Sequence, residues 1–344
     1  MPGECPGEAL AGMRNQHHHQ QGSPPGGEQH PTPANTIQQR VIQRFAAQAG
    51  AWQDRYQASD LPSRIYQRRH ARALGLVDQL GLPAGSPALE IGPGAGHTTV
   101  ALARRGLQVT AVDATPALLE LTRRQVEAAD LPGTGRVGLL LGDTHHLPVA
   151  DAHVDVVVAL GVLPWLHTPA QAIAELARVL RPGGHLVVSA DNHARLTHRL
   201  DPWRNPALRP LQQAVKARAG AMGWWQRRDH GFGVAATYHR IGEVDRLLRV
   251  AGLERRGGVT LGFGPLTLGG RRVLPQRLGL WMDRRLQRLA DHGVPWLRSA
   301  GDHYLVMARK PQPPSNPARE TRAAPSAVAG RCSQGWRQAG KGQP

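Results

Sequence analysis

The chain has 344 residues, a formal charge of +17 and an isoelectric point near 11.4. Its two cysteines, Cys5 and Cys332, sit in opposite terminal segments, which excludes a disulfide framework and fits a reducing, cytoplasmic setting. The longest apolar run, Val154 to Leu166, is too short to span a bilayer and is broken by Gly161 and Pro164, and no signal-peptide pattern opens the chain. The charge points to an anionic partner, whether nucleic acid, an acidic lipid surface or an anionic substrate, although an arginine-rich composition by itself gives the same balance.

Residues 1–36 and 311–344 are rich in small and polar residues without apolar periodicity, and are predicted to be disordered tails around a domain at 37–310. The run His17, His18, His19 lies in the first tail with no Cys or carboxylate beside it, so no metal site is predicted. Ile37, Val41, Ile42, Phe45, Ala46 and Ala49 recur at helical spacing and predict a helix over 37–53; a second follows over 64–80.

An apolar strand over 88–91 then breaks into Gly92, Pro93, Gly94, Ala95 and Gly96 and resumes as a helix. Such an elbow brings main chain close to a ligand, because glycine allows backbone angles that a side chain forbids. A dinucleotide site reads G-x-G-x-x-G, but the position that wants the third glycine is His97. The pattern is instead E-x-G-x-G-x-G, opened by Glu90. A second strand over 108–112 ends in Asp113, about twenty residues past the elbow, where a carboxylate can accept both ribose hydroxyls.

A third strand, 137–141, leads into Gly142, Asp143 and Thr144, and a fourth, 154–159, is apolar enough to be buried on both faces. A helix over 169–179 is stopped by Arg181, Pro182, Gly183 and Gly184, which are expected to turn the chain into a fifth strand at 185–190. Regular alternation lapses until Tyr238. A helix over 241–250, a sixth strand over 253–261, an insertion over 262–303 and a seventh strand over 304–309 complete the reading. Alternating strands and helices give a doubly wound, mostly parallel seven-stranded α/β sheet, with N-terminal helices and a basic insertion before the last strand.

These motifs resemble, in order and spacing, those of the class I S-adenosylmethionine (SAM) dependent methyltransferases, small-molecule branch, over Val41 to Lys310. The resemblance implies SAM as cofactor, with Glu90 near its methionine ammonium and Gly92, Gly94 and Gly96 forming the elbow. It places Asp113 and Ala114 at the ribose, Asp143 and Thr144 at the adenine, Leu160 at the end of the fourth strand, and Tyr56 in an aromatic lid with Phe45 and Trp52. Residues 37–87 would then be N-terminal helices, 88–190 the SAM-binding core, and 191–240 and 262–303 substrate-side insertions.

SAM presents an electrophilic methyl group, so the protein mainly aligns a nucleophile, and an oxygen acceptor also needs a base. His167 and His193, after the fourth and fifth strands, are the candidate bases. The acceptor is expected to be a small molecule or lipid. An RNA methyltransferase ranks second: ALEIGPGAG resembles the ribosomal RNA adenine dimethylases, yet Val162 stands where an amide would be needed. A catalytically silent, SAM-binding basic protein ranks third. In the insertion, Leu274, Leu278, Trp281, Met282, Leu286 and Leu289 fall on one face of an expected helix, with Arg277, Arg284 and Arg288 along its border, which makes an anionic membrane surface a candidate partner.

Overall fold

The computed structural model describes residues 33–131, 136–221 and 232–312. Its strands are β1 (Pro87–Ile91), β2 (Gln108–Asp113), β3 (Val137–Leu141), β4 (Val154–Leu160), β5 (Leu180–Asp191), β6 (Glu254–Leu261), a short hairpin of β7 (Thr267–Leu268) and β8 (Arg271–Arg272), and β9 (His303–Arg309). Seven of them form one sheet in the order β3-β2-β1-β4-β5-β9-β6. All pairings from β3 to β5 are parallel, and β9 runs antiparallel to both β5 and β6. The strand order reverses between β1 and β4, which opens a crevice beyond their carboxyl ends.

The helices are α1 (Pro33–Ala47), α2 (Ala49–Gln57), α3 (Leu61–Asp78), α4 (His97–Ala103), α5 (Pro116–Glu127), α6 (Pro169–Val179), α7 (Leu196–Leu200), α8 (Arg209–Ala221), α9 (Ile241–Val250) and α10 (Gln276–Asp291). Strand alternation sends Leu89, Ile91, Val157 and Val188 to one face, where Ile173 and Leu176 of α6 and Val244 and Leu248 of α9 cover them. Ala88, Val156, Val158 and Val187 point the other way, against Ala73, Leu74 and Val77 of α3 and Leu102 and Ala103 of α4. Helix α3 starts where the Asp60 carboxylate accepts the Ser63 amide at 2.9 Å and Pro62 sits in the first turn. No described helix is long and apolar enough to cross a membrane.

Several sequence expectations need correction. The helix expected over 37–53 is two helices, broken at Gln48 (φ −107°, ψ 9°), and it begins at Pro33, inside the expected tail. Residues 1–32 and 313–344, with both cysteines and the three-histidine run, lie outside the described residues. Arg181 to Gly184 does stop α6, but the chain continues as an extended, bulged part of β5 whose register shifts against β4 between Val154 and Val156. The stretch read as irregular after Asp191 holds α7 and α8; α8 exposes Leu211 and Val215, so it lacks the apolar stripe that marks a packed helix.

The insertion helix α10 forms as expected but presents a different face. Its buried positions are Gly279, Asp283, Gln287 and Ala290, while Leu278, Trp281 and Leu289 are exposed. Asp283 accepts hydrogen bonds from Arg68 Nη2 at 2.7 Å and from the Phe263 amide at 2.9 Å, and Gln287 Oε1 accepts the Gly262 amide at 2.9 Å. Hydrogen bonding, rather than apolar periodicity, sets the roll of this helix.

Candidate functional site

The three elbow glycines all have positive φ, at +66° for Gly92, +61° for Gly94 and +78° for Gly96. They serve different ends. A Cβ on Gly92 would stand 2.6 Å from Val162 Cγ2, and one on Gly96 would stand 3.0 Å from the Thr122 backbone, so both are packed against protein. A Cβ on Gly94 meets nothing within 4 Å, and Gly94 lines the main cavity. That open ground beside bare main chain is where a ligand can lie. The Thr122 hydroxyl, 3.2 Å from the Gly94 carbonyl, ties the elbow to α5.

Two acids close the floor of the cavity. Glu90 is buried and accepts the Thr99 hydroxyl at 2.5 Å; burial pushes its carboxyl up to about 8. Asp113, at the end of β2, is pushed up to about 6 by burial, against the pull of the Thr115 amide, which donates to it at 2.7 Å. Facing them is Arg69 of α3, only 4% exposed, whose Nε has no hydrogen-bond partner among the described residues. Its guanidinium lies 4.7 Å over the Tyr66 ring and against Gly161, just past β4. A buried donor such as this Nε is costly to leave without an acceptor.

The roof comes from α1, α2 and α3. Phe45 stacks on Trp52 at 5.8 Å and meets Trp165 edge-on at 5.0 Å, and Trp52 meets Tyr66 at 6.0 Å. All four line the cavity, as does Tyr56, whose ring packs 4.6 Å from His97. Asp191, at the end of β5, reaches the same space and bonds His303 Nδ1 at 2.9 Å. Burial alone would raise Asp191, but the His303 hydrogen bond and the charges of Arg69 and Arg195 outweigh it and hold the group below the usual carboxylate range. Burial pushes the His303 ring below its ordinary value, against the pull of the Asp191 hydrogen bond, which raises it.

Of the residues expected at the site, Glu90, Gly92, Gly94, Asp113, Ala114, Thr144, Leu160 and Tyr56 line this cavity, and Gly96, Asp143, His167 and His193 do not. Asp143 Oδ1 instead accepts both the His145 amide at 3.0 Å and His145 Nδ1 at 2.7 Å. His193 lies in a separate depression with His198 and Arg240. His167 stacks on His145, with ring centroids 3.8 Å apart and planes 16° apart. Asp143, His145 and His167 are close enough together to suggest a metal site. Near-parallel rings, however, hold their nitrogen lone pairs in separate planes, and His145 Nδ1 and His167 Nδ1 already face Asp143 and Thr168 Oγ1, so the donor set does not fit one ion.

Arg69, Tyr66 and Asp191 were not singled out from the sequence as site residues. Asp191 carries the signal already used for Asp113, an acid at a strand's carboxyl end. Arg69 had none: it stands between Arg68 and His70, and only the fold separates the buried arginine from the one that pairs with Asp283.

Residues 89–188 match a family model described as a methyltransferase domain. An uncharacterized methyltransferase of Mycobacterium tuberculosis is 42% identical over 110 residues, which is 32% of this chain and 42% of the relative. A demethylmenaquinone methyltransferase of Renibacterium salmoninarum is 31% identical over 153 residues, 44% of this chain and 59% of the relative. The chain spans under half the length of the first curated relatives it matches. Among solved structures, magnesium protoporphyrin IX methyltransferase from Synechocystis PCC 6803 with bound SAH shares the fold, with a TM-score of 0.50 at 15% identity over 80% of this chain and 99% of that one. The elbow and the strand-end acids Glu90 and Asp113 thus lie in a segment, 89–188, that matches a methyltransferase domain, and the chain around it shares the fold of a SAH-binding methyltransferase.

Proposed function

We propose that the protein transfers a methyl group from SAM to a small-molecule or lipid acceptor bound under α1 and α2. The observation that carries this is the continuity of one cavity, which runs from the open side of Gly94, Glu90 and Asp113 to the aromatic chamber of Phe45, Trp52, Tyr66 and Trp165. The residues fit the cofactor. Glu90 offers a carboxyl and Arg69 a cation to the zwitterionic amino-acid end, Asp113 offers acceptors to the ribose hydroxyls, and Gly94 leaves room at the main chain. When bound, SAM supplies a methyl group made electrophilic by its sulfonium.

The chain's own residues do the rest. Tyr56 and the α1–α2 roof exclude water, the aromatic chamber orients the acceptor, and proximity of this kind contributes ~7–11 kcal/mol to such reactions. Asp191, oriented by His303, offers a carboxylate to a polar group of the acceptor, while His167 and His193, the candidate bases, lie outside this cavity. The apolar, aromatic chamber favours a flat or hydrophobic acceptor, and one relative is named for demethylmenaquinone. Val162, packed against Gly92, offers no hydrogen bond to a nucleobase amino group.

Calorimetry with SAM, S-adenosylhomocysteine and NAD tests the cofactor, and incubation with methyl-labelled SAM and fractionated lysate tests the acceptor. Binding of the first two ligands and label in the lipid or metabolite fraction are expected. NAD binding without SAM binding, or label confined to RNA, would overturn the reading.

A further inference from the structure

Helix α10 turns its hydrogen-bonding residues inward and hydrophobic ones to solvent. Leu278, Trp281 and Leu289 are 46%, 50% and 46% exposed, and at about 100° per residue they share one side of the helix with Arg285, which lies 5.6 Å over the Trp281 ring. Arg277, Arg284 and Arg288 are exposed beside them. The preceding hairpin adds exposed Leu268, Val273, Arg271 and Arg272. Buried Asp201 fixes that hairpin by accepting the Gly269 and Gly270 amides at 3.1 and 3.0 Å.

The acids of this segment are spent elsewhere. Asp283 pairs with Arg68, Asp291 pairs with Arg72, and Asp302 is buried against the Gly264 amide. Among the described residues, no ion pair reaches any of the six arginines from Arg271 to Arg288.

We infer that this face of α10, with its hairpin, docks on a membrane surface containing anionic phospholipid. Aliphatic Leu278 and Leu289 gain by entering the acyl boundary, tryptophan prefers the interface, and arginines reach phosphate from a helix lying flat. RNA would leave the leucines exposed to water, because its phosphates and bases reward stacking and charge rather than aliphatic burial. A second copy of the chain would bring like charges together. The inference stands apart from the reading of the cavity. It does adjoin it in space: Gln276 Nε2 lies 3.4 Å from the Ser59 carbonyl, in the link between α2 and α3 beside the roof.

The test is flotation of the full-length protein with vesicles of phosphatidylcholine alone, or mixed with phosphatidylglycerol, at low and high salt. Two variants are compared with wild type, Arg284→Glu/Arg285→Glu/Arg288→Glu and Leu278→Ser/Trp281→Ser/Leu289→Ser, each first checked for unchanged SAM affinity. Wild type should float only with the anionic vesicles. Each arginine near such a surface is worth roughly fivefold in partitioning, so charge reversal should lower binding by roughly a hundredfold or more. The serine variant should lose about tenfold or more at unchanged charge. Failure of wild type to float, or wild-type flotation by either variant, overturns the inference. So does equal competition by an RNA homopolymer, or a dimer that the serine variant abolishes.

Discussion

Gly161 and Arg69 are in direct contact: a Cβ on Gly161 would stand 2.9 Å from the guanidinium Nη1, at a φ of +78°. The glycine past β4 therefore makes room for a buried arginine whose Nε has no hydrogen-bond partner among the described residues. Arg69→Met should weaken SAM binding by about 10–100-fold, the worth of a charged hydrogen bond of ~1.5–3 kcal/mol, as read by calorimetry. The same change removes the cation over the Tyr66 ring and one of the charges that hold the Asp191 carboxyl low, so Asp191 should titrate higher, as read by NMR. Gly161→Ala should weaken binding by pushing the guanidinium aside. A lysine at 69 should restore little, since it lacks the planar fork.

Glu90, pushed up to about 8, is protonated in the free protein at neutral pH, whereas an ammonium ligand needs the carboxylate. Binding should then release a proton, and SAM affinity should climb by up to tenfold per pH unit from pH 6. It should level near pH 8, where a free amino group begins to lose its own proton. Calorimetry in buffers of differing ionisation enthalpy measures the proton count, and Glu90→Gln should bring it to zero. For the free protein the sign runs the other way. The folded state holds a proton that the unfolded chain gives up above its ordinary 4.5, so stability should fall as pH rises from 5 to 8. The Glu90 share of this loss is on the order of 4 kcal/mol and should vanish in Glu90→Gln, leaving the smaller slope that Asp113 and Asp302, raised to about 6 and about 7, contribute with the same sign.

The elbow glycines should separate in a stability and binding assay. Gly94→Ala costs only backbone strain, ~1 kcal/mol, since its Cβ meets no protein atom, yet it fills ligand space and should abolish measurable SAM binding. Gly96→Ala should instead destabilise by about 2 kcal/mol or more, as its Cβ meets the Thr122 backbone at 3.0 Å.

The parts legible in the sequence are those encoded by periodicity and by strand-end chemistry. The parallel strands β1 to β4, α6 and α9 lie within a residue or so of their expected bounds, and Glu90, Gly94 and Asp113 fall in the cavity as the elbow spacing implies. What stayed hidden depends on contacts far apart in the chain. Arg69 and Arg68 are neighbours in the same helix, but only the fold turns one to the cavity and the other to Asp283. The roll of α10 was misread because an apolar stripe usually marks the buried side, and here Asp283 and Gln287 have backbone amides waiting for them. His167 and His193 follow strands, a position that brings a residue to the carboxyl end of the sheet but not to one side of a cavity.

Asp283, with a side chain 1% exposed, links α10 to α3, so Asp283→Ala should destabilise the protein by about 2–4 kcal/mol in urea unfolding. Asp283→Asn should recover part of this by keeping an acceptor for the Phe263 amide. Because α3 also carries Tyr66 and Arg69, both variants should weaken SAM binding although neither touches the cavity.

The Arg68–Asp283 pair joins residues 215 apart in the chain. During synthesis α3 emerges about 10–40 s before its partner helix, at ordinary elongation rates. The parallel core from β1 to β5 can collapse in that interval with α3 on its face, but Arg68 has no Asp283 to meet until α10 emerges. A nascent chain halted before residue 276 would have the elbow and lack the clamp that holds the opposite side of the cavity in place.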